Sequence, residues 1–261
     1  MLRRSAVAAL SGALALSALT ASNARADSGA GDTQIIQAVV NGGQPVVVGH
    51  YTPKTITLSI IATDNSGIKD AYGWLYHGSF DDPDGFAGPG SDTPLDCTPI
   101  PGTTASNCTT SITIDPNSTM TNATAGTWHV WTSVDANDFD YIDKDSAGTF
   151  LMKRAAKLTA DASPEPVAKG GTITVKGALT RANWMMGTPY SGYAGQSVKL
   201  QFRKAGTSTY STVKTVTSGT GGALTTTVTA SADGYWRWSF AGTSTTGSAK
   251  ASGDYVDVTG V

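Results

Sequence analysis

The sequence predicts an all-β chain: two tandem antiparallel β-sandwiches behind an export signal. Three observations carry this. Apolar and polar residues alternate with period two in segment after segment, which puts successive side chains on opposite faces of a strand. Gly, Pro, Asp and Asn interrupt the alternation at intervals suited to short strands and tight turns. Helix formers are sparse, with Glu165 the single glutamate, while Val, Ile, Thr, Trp and Tyr recur in short runs.

The first element is the signal, residues 1–26. Arg3 and Arg4 give a charged start, Ala6 to Ala21 a short Ala/Leu stretch, and Ala24-Arg25-Ala26 a small-x-small cleavage site. A membrane anchor is not expected, because Ser11, Gly12, Ser17 and Thr20 dilute a stretch already short of the roughly 20 apolar residues a spanning helix needs. No Cys follows the stretch and no apolar tail precedes Val261, so the expected mature chain is secreted and extracellular.

The remaining 235 residues suit two domains, expected at 27–153 and 154–261. In the first, Ile56/Leu58/Ile60, Ala71 to Tyr76, Ser111 to Ile114, Trp128/Val130/Val134 and Thr149 to Met152 read as strands, with Trp128 facing inward. The link Lys153-Arg154-Ala155-Ala156-Lys157 has neither Pro nor a Gly/Ser run, which predicts limited hinge freedom. In the second, Ile173/Val175, Val198/Leu200/Phe202, Leu224/Thr226/Val228, Trp236/Trp238/Phe240 and Val256/Val258 each line one face, with edge strands near Lys157 to Ala160 and Ser211 to Val216. About seven strands in this length is what an immunoglobulin-like sandwich requires.

Ala62-Thr63-Asp64-Asn65-Ser66-Gly67-Ile68 with Gly126-Thr127-Trp128-His129-Val130, and Gly195-Gln196-Ser197-Val198-Lys199-Leu200-Gln201-Phe202-Arg203 with Asp233-Gly234-Tyr235-Trp236-Arg237, resemble the tandem immunoglobulin-like modules of secreted actinobacterial proteins. The resemblance covers nearly all of the mature chain and implies a bacterial source and a fold far more than an activity. Some such proteins are loosely described as calcium-binding. The chain departs from antibody-type domains in lacking the inter-sheet Cys pair.

Its only cysteines, Cys97 and Cys108, lie close together in an exported chain, so a structural disulfide is expected. Charge is divided between the halves. Residues 27 to 153 carry fifteen Asp against four Lys, a net of −11, and residues 154 to 261 carry eleven Lys or Arg against five acids, a net of +6. Such asymmetry suggests different partners for each half, or docking between them.

Two candidate sites follow. In this fold the turn holding Asp64-Asn65 and the loop from Asp135 to Asp145 emerge at one pole. Hard oxygen ligands there suit calcium, with Asp64, Asp135 and Asp138 as first candidates and Asn137 and Asp140 behind them. The alternative is a set of solvated turns, in which Asp and Asn serve turn geometry. A helix-loop-helix calcium loop is excluded, since Phe139 falls where a ligand should be and no closing Glu follows. In the second half, Lys199, Gln201 and Arg203 on one strand and Tyr235 and Arg237 on its neighbour point away from the core. This basic face can hold an anionic cell-wall polymer, a glycan or an acidic partner, or can simply be a solvated surface. Nucleic acid is not expected, since the charge excess is modest and no nucleic-acid-binding motif is present.

The run Asn183-Trp184-Met185-Met186-Gly187-Thr188-Pro189-Tyr190-Ser191-Gly192-Tyr193 is too apolar for an exposed loop and is expected to seal the junction between the halves, with a ligand platform as the alternative. His129 and Trp131 project to the face opposite Trp128, where packing under a loop competes with sugar binding. Enzyme readings fail on inventory: three His (His50, His77, His129), no Gly-x-Ser-x-Gly, no His-Glu-x-x-His and no phosphate-cradling loop. What remains is a binding or adhesion module, calcium-bound at its acidic pole, or a structural cell-envelope or matrix component without a specific ligand.

Overall fold

The computed structural model describes residues 27–89, 92–118, 120–185 and 187–260. The expected export signal lies outside the described residues. Strands in the first half are β1 (Ser28–Ala30), β2 (Gln34–Val40), β3 (Val46–Val48), β4 (Lys54–Thr63), β5 (Ile68–Gly78), β6 (Pro83–Ala87), β7 (Asp96–Pro99), β8 (Ala105–Ile114), β9 (Gly126–Ala136) and β10 (Tyr141–Arg154). One sheet has the order β1-β10-β9-β5-β6, with β3 added in parallel on β10. The facing sheet has the order β2-β4-β8-β7.

Alternation sets what each strand buries. On β4, Ile56, Leu58, Ile60 and Ala62 are buried, alternating with the outward Thr57, Ser59 and Ile61. On β9, Trp128, Val130, Val134 and Ala136 turn inward, while His129, Trp131, Ser133 and Asp135 face out. Trp128 is fully buried, as its position predicts, and its indole N–H donates to the Thr124 carbonyl at 2.7 Å, so the ring enters the core without an orphaned donor. Cys97 and Cys108 are bonded to each other. They are register partners on β7 and β8, so the disulfide staples neighbours within one sheet instead of bridging the two.

The second half contributes β11 (Ala156–Leu158), β12 (Asp161–Ser163), β13 (Val167–Ala168), β14 (Thr172–Ala182), β15 (Tyr190–Gly192), β16 (Ser197–Lys204), β17 (Ser211–Thr217), β18 (Ala223–Thr229), β19 (Gly234–Phe240), β20 (Ala249–Lys250), β21 (Asp254–Val256) and β22 (Val258–Thr259). Strand β14 pairs with β11, β12, β15 and β18 on one side, and the other sheet has the order β17-β16-β19-β20, with β21 also on β19. Among the described residues the strand pairings are antiparallel apart from β3 with β10 and β13 with β22, and an isolated parallel bridge joins Arg154 to Thr246. The chain is therefore an all-β pair of immunoglobulin-like antiparallel sandwiches. Val198 and Leu200 of β16 and Trp236, Trp238 and Phe240 of β19 lie in its second apolar cluster.

The halves meet without a spacer. Strand β10 ends at Arg154 and β11 begins at Ala156, so Ala155 alone separates them. Its N–H donates to Val48 and its carbonyl accepts from Ala182 N at 2.7 Å, which ties both halves to the one linking residue. Arg154 Nε donates to the Ala182 carbonyl at 2.6 Å. Burial, with Arg181 nearby, pushes that guanidinium's pKa down to about 10. Trp184 is 3 % exposed and belongs, with Ala182, to the apolar cluster of the first half. Its indole N–H donates to Val48 O, and Asn122 and the His50 ring both hydrogen-bond Asn183. The apolar run thus seals the junction through Trp184 and Tyr190, whereas Met185 is exposed.

Candidate functional site

Three connections converge at one end of the first sandwich: residues 31–33 between β1 and β2, 64–67 between β4 and β5, and 137–140 between β9 and β10. Local chemistry shapes each. Gly31 and Gly67 adopt φ of +84° and +87°, conformations that side chains disfavour. Asp64 closes its turn by accepting the Ser66 N–H at 2.7 Å and the Ser66 hydroxyl at 2.6 Å on Oδ1, and Thr33 donates to its Oδ2 at 2.7 Å. Asn137 binds the loops together, its backbone N–H donating to Gly67 O and its amide to Ser66 O at 2.9 Å.

These contacts bring Asp32, Asp64 and Asp140 into one group, with a carboxylate oxygen from each lying within 4.8 Å of the others. Asp140 Oδ2 accepts the Asp32 N–H at 2.9 Å, and Asp32 Oδ2 accepts from the Asn65 amide at 2.8 Å. A Cβ on Gly31 would stand 1.6 Å from Asp140 Oδ2, so only glycine leaves room for that carboxylate. Asp64 is 2 % exposed. Burial raises its pKa, but the Ser66 hydroxyl, the Thr33 hydroxyl and the Ser66 amide outweigh burial and hold it below the ordinary 3.8. It is therefore an anion in a nearly closed place.

The group is short of positive charge. The ion pairs found among the described residues, Lys69 with Asp70, His77 with Asp84 and Lys144 with Asp27, involve none of the three. Two unit charges at this separation repel by roughly 3 kcal/mol at an effective dielectric of about 20. With only oxygen donors present, the group suits a hard cation and not zinc, which prefers Cys and His.

Of the residues the sequence nominated for calcium, Asp64 and Asp140 are in this group and Asp135, Asn137 and Asp138 are not. Asp135 lies on the outward row of β9, opposite Asp70 of β5. Asn137 spends its amide on the β4–β5 turn, and Asp138 Oδ1 accepts the Asp140 N–H at 3.3 Å. Asp32 was not nominated. It stands ahead of the first alternating segment, and the only signal was its Gly-Asp turn, which the topology carries to the same pole.

The nominated basic face also assembles. Strands β16 and β19 are register partners, Arg203 opposite Tyr235 and Gln201 opposite Arg237, with Lys199 further along β16. Arg203 lies 4.0 Å over the Tyr235 ring and 5.3 Å from that of Tyr210, while Arg237 lies 3.6 Å over Tyr210. Tyr210, from the connection between β16 and β17, was missed. A groove of about 370 Å³ runs beside this face, lined by Gln196, Ser197, Lys199, Gln201, Ser239 and Thr243 among others.

The outward side of β5 and β9 carries a packed aromatic set. Trp74 sits 5.6 Å from Trp131, 4.9 Å from Phe86 and 5.8 Å from Phe80, and Tyr76 stacks on His129 at 5.1 Å. Trp131 thus packs against the Trp74 ring. His129 Nδ1 meets Ser146 Oγ at 2.9 Å, and burial together with His77 holds its pKa below the usual value. His77 pairs with Asp84, and His50 is buried in the junction.

No protein-family model matches this chain, and no curated protein matches it at a significant level. Among solved structures it is similar to a chimeric titin Z1Z2 carrying a KLER peptide from decorin, at 14 % identity over 88 % of this chain and 97 % of that one, with a TM-score of 0.25. The D00-D0 domain of intimin is similar at 13 % identity over 84 % and 98 %, with a TM-score of 0.28. The ectodomain of mouse nectin-like molecule 4 is similar at 14 % identity over 88 % and 64 %, with a TM-score of 0.23.

Proposed function

We propose that the chain is a secreted, non-catalytic binding module whose first sandwich is completed by a calcium ion held between Asp32, Asp64 and Asp140. The observation that carries this reading is the meeting of three carboxylates from three separate connections within 4.8 Å, outside every ion pair found among the described residues. Such a meeting is electrostatically costly without a cation and favourable with one. Calcium takes six to eight oxygens in flexible geometry, so main-chain carbonyls and water would fill the positions that carboxylates leave. The ion would lock the β1–β2 and β9–β10 connections to the β4–β5 turn. The disulfide between Cys97 and Cys108 agrees with an oxidising compartment, where calcium is plentiful and a weak site suffices.

Calorimetric titration of calcium into the EDTA-treated protein, followed by thermal unfolding, tests it. Binding should occur with one equivalent, and calcium at about a hundred times its dissociation constant should add about 2.7 kcal/mol of stability, because a ligand held only by the folded state shifts the equilibrium by mass action. Asp140→Asn should abolish the heat and the shift. An unchanged unfolding midpoint at about 10 mM calcium, roughly ten times the dissociation constant of the weakest extracellular sites, rules the reading out.

A further inference from the structure

We infer that Arg203 and Arg237, held by Tyr210 and Tyr235, form a binding site for an acidic polysaccharide on the outer face of the β16–β19 ladder. The site is separate from the acidic pole and does not depend on calcium. The two guanidiniums and two phenol rings interleave, Tyr235 with Arg203 and Tyr210 with both arginines, at 3.6 to 5.3 Å from cation to ring. Arg237 Nε also donates to Gln201 Oε1 at 2.9 Å, and Arg203 donates to the Thr207 carbonyl. These contacts fix the planes of both guanidiniums while consuming only part of their donor capacity, since each guanidinium carries five N–H groups.

Neither arginine has an anionic partner in the ion pairs found among the described residues. The carboxylates nearest in sequence are turned to the backbone: Asp233 Oδ1 accepts the Val258 N–H at 2.8 Å and Asp254 Oδ2 accepts the Ala162 N–H at 2.6 Å. The half carries a net of +6, so its field draws an anionic ligand toward this face. Planar, pre-oriented guanidiniums select carboxylate or sulfate groups, which they hold through paired hydrogen bonds.

The surroundings decide what carries those groups. The groove alongside is lined by Ser, Gln, Thr and Lys side chains together with Phe240, Ala241 and Gly242, a mixed surface that offers a sugar chain hydrogen-bonding groups for its hydroxyls and apolar area for its ring faces. Stacking of nucleic-acid bases needs free aromatic faces, and here guanidiniums already lie over Tyr210 and Tyr235. A sugar chain with regularly spaced acids fits both the ladder and the groove.

The test uses the purified protein in EDTA, so that a failure of the calcium reading leaves it untouched. Octagalacturonate, a heparin-derived octasaccharide, fully methyl-esterified octagalacturonate, octaglutamate and dT8 are titrated in low salt. Binding is expected for at least one acidic sugar and not for the ester. Arg203→Gln and Arg237→Gln should each weaken it about tenfold, and Arg237→Lys, which keeps the charge but not the plane, about threefold. The thermal midpoint should hold in all three variants, because the side chains are half-exposed. Failure of both acidic sugars at about 1 mM, equal binding of the ester, or wild-type affinity in the Gln variants overturns the proposal. So does tighter binding of octaglutamate or dT8 than of either sugar.

Discussion

Asp64 illustrates how one side chain answers to opposing forces. Burial alone would neutralise it, yet two hydroxyls and an amide keep it ionised, and its pKa falls below 3.8. A carboxylate whose folded pKa is depressed contributes stability that is fully present above its unfolded pKa and is lost as pH falls through the folded one. The protein in EDTA should therefore lose stability as the pH drops below about 4. Asp64→Asn should be less stable by about 2 kcal/mol at pH 7, since it loses charge-assisted hydrogen bonds, and should show a shallower decline below pH 4. Urea unfolding at pH 7, 4 and 3 measures both quantities, and an identical acid slope in the variant would show that Asp64 does not carry the effect. Much of this residue was legible in the sequence, because Asp-Asn-Ser-Gly is a turn whose first side chain reaches its own backbone two residues on. Asp32 was not legible. Its role depends on which distant loops share its pole, and a Gly-Asp pair by itself says nothing of that.

At the scale of strands, legibility follows the regularity of the pleat. Strands β4, β9 and β19 keep strict alternation, and β16 keeps it as far as Leu200, so their inward rows could be read directly. Strand β2 could not. A register shift between Ile35 and Gln37 breaks its period, leaving Ile36 60 % exposed and Val40 as its only fully buried residue. Strand β10 carries a similar shift between Lys144 and Gly148, so only its last portion, near Thr149 to Met152, could be read as a strand. Strand β7 was hidden for a different reason: four residues, two of them Cys97 and Pro99, hold no pattern. Its place at the sheet edge is secured by the disulfide to Cys108, itself fully buried. The bond closes a separation of 11 residues, and Cys97→Ser with Cys108→Ser should cost about 3 kcal/mol, chiefly by freeing the unfolded chain. Chemical denaturation of the double variant measures it. A loss below about 1 kcal/mol would mean that hydrogen bonds to β8 alone hold the edge.

On the scale of the molecule, the charge split and the junction have to be considered together. A net of −11 in one half and +6 in the other gives two surfaces of opposite charge, yet the halves are not mechanically independent. Ala155 is the whole link, and Trp184, which enters from the second half, is buried in the apolar cluster of the first. Unfolding the second half must then extract an indole from the first, which a large-to-small truncation prices at about 3 to 5 kcal/mol. Stability added at the acidic pole should accordingly reach the other half. In calorimetric scans of the intact protein, calcium should raise the unfolding of both halves, either as one transition or as two that move together. In Trp184→Ala the scan should split, and calcium should raise only the component that contains the acidic pole. Fluorescence distinguishes the components, since Trp236 and Trp238 belong to the second cluster and Trp128 to the first. If calcium shifts the second component equally with and without the indole, coupling runs through the backbone at Arg154 and Ala155. The tryptophan would then fill space at the junction without transmitting anything across it.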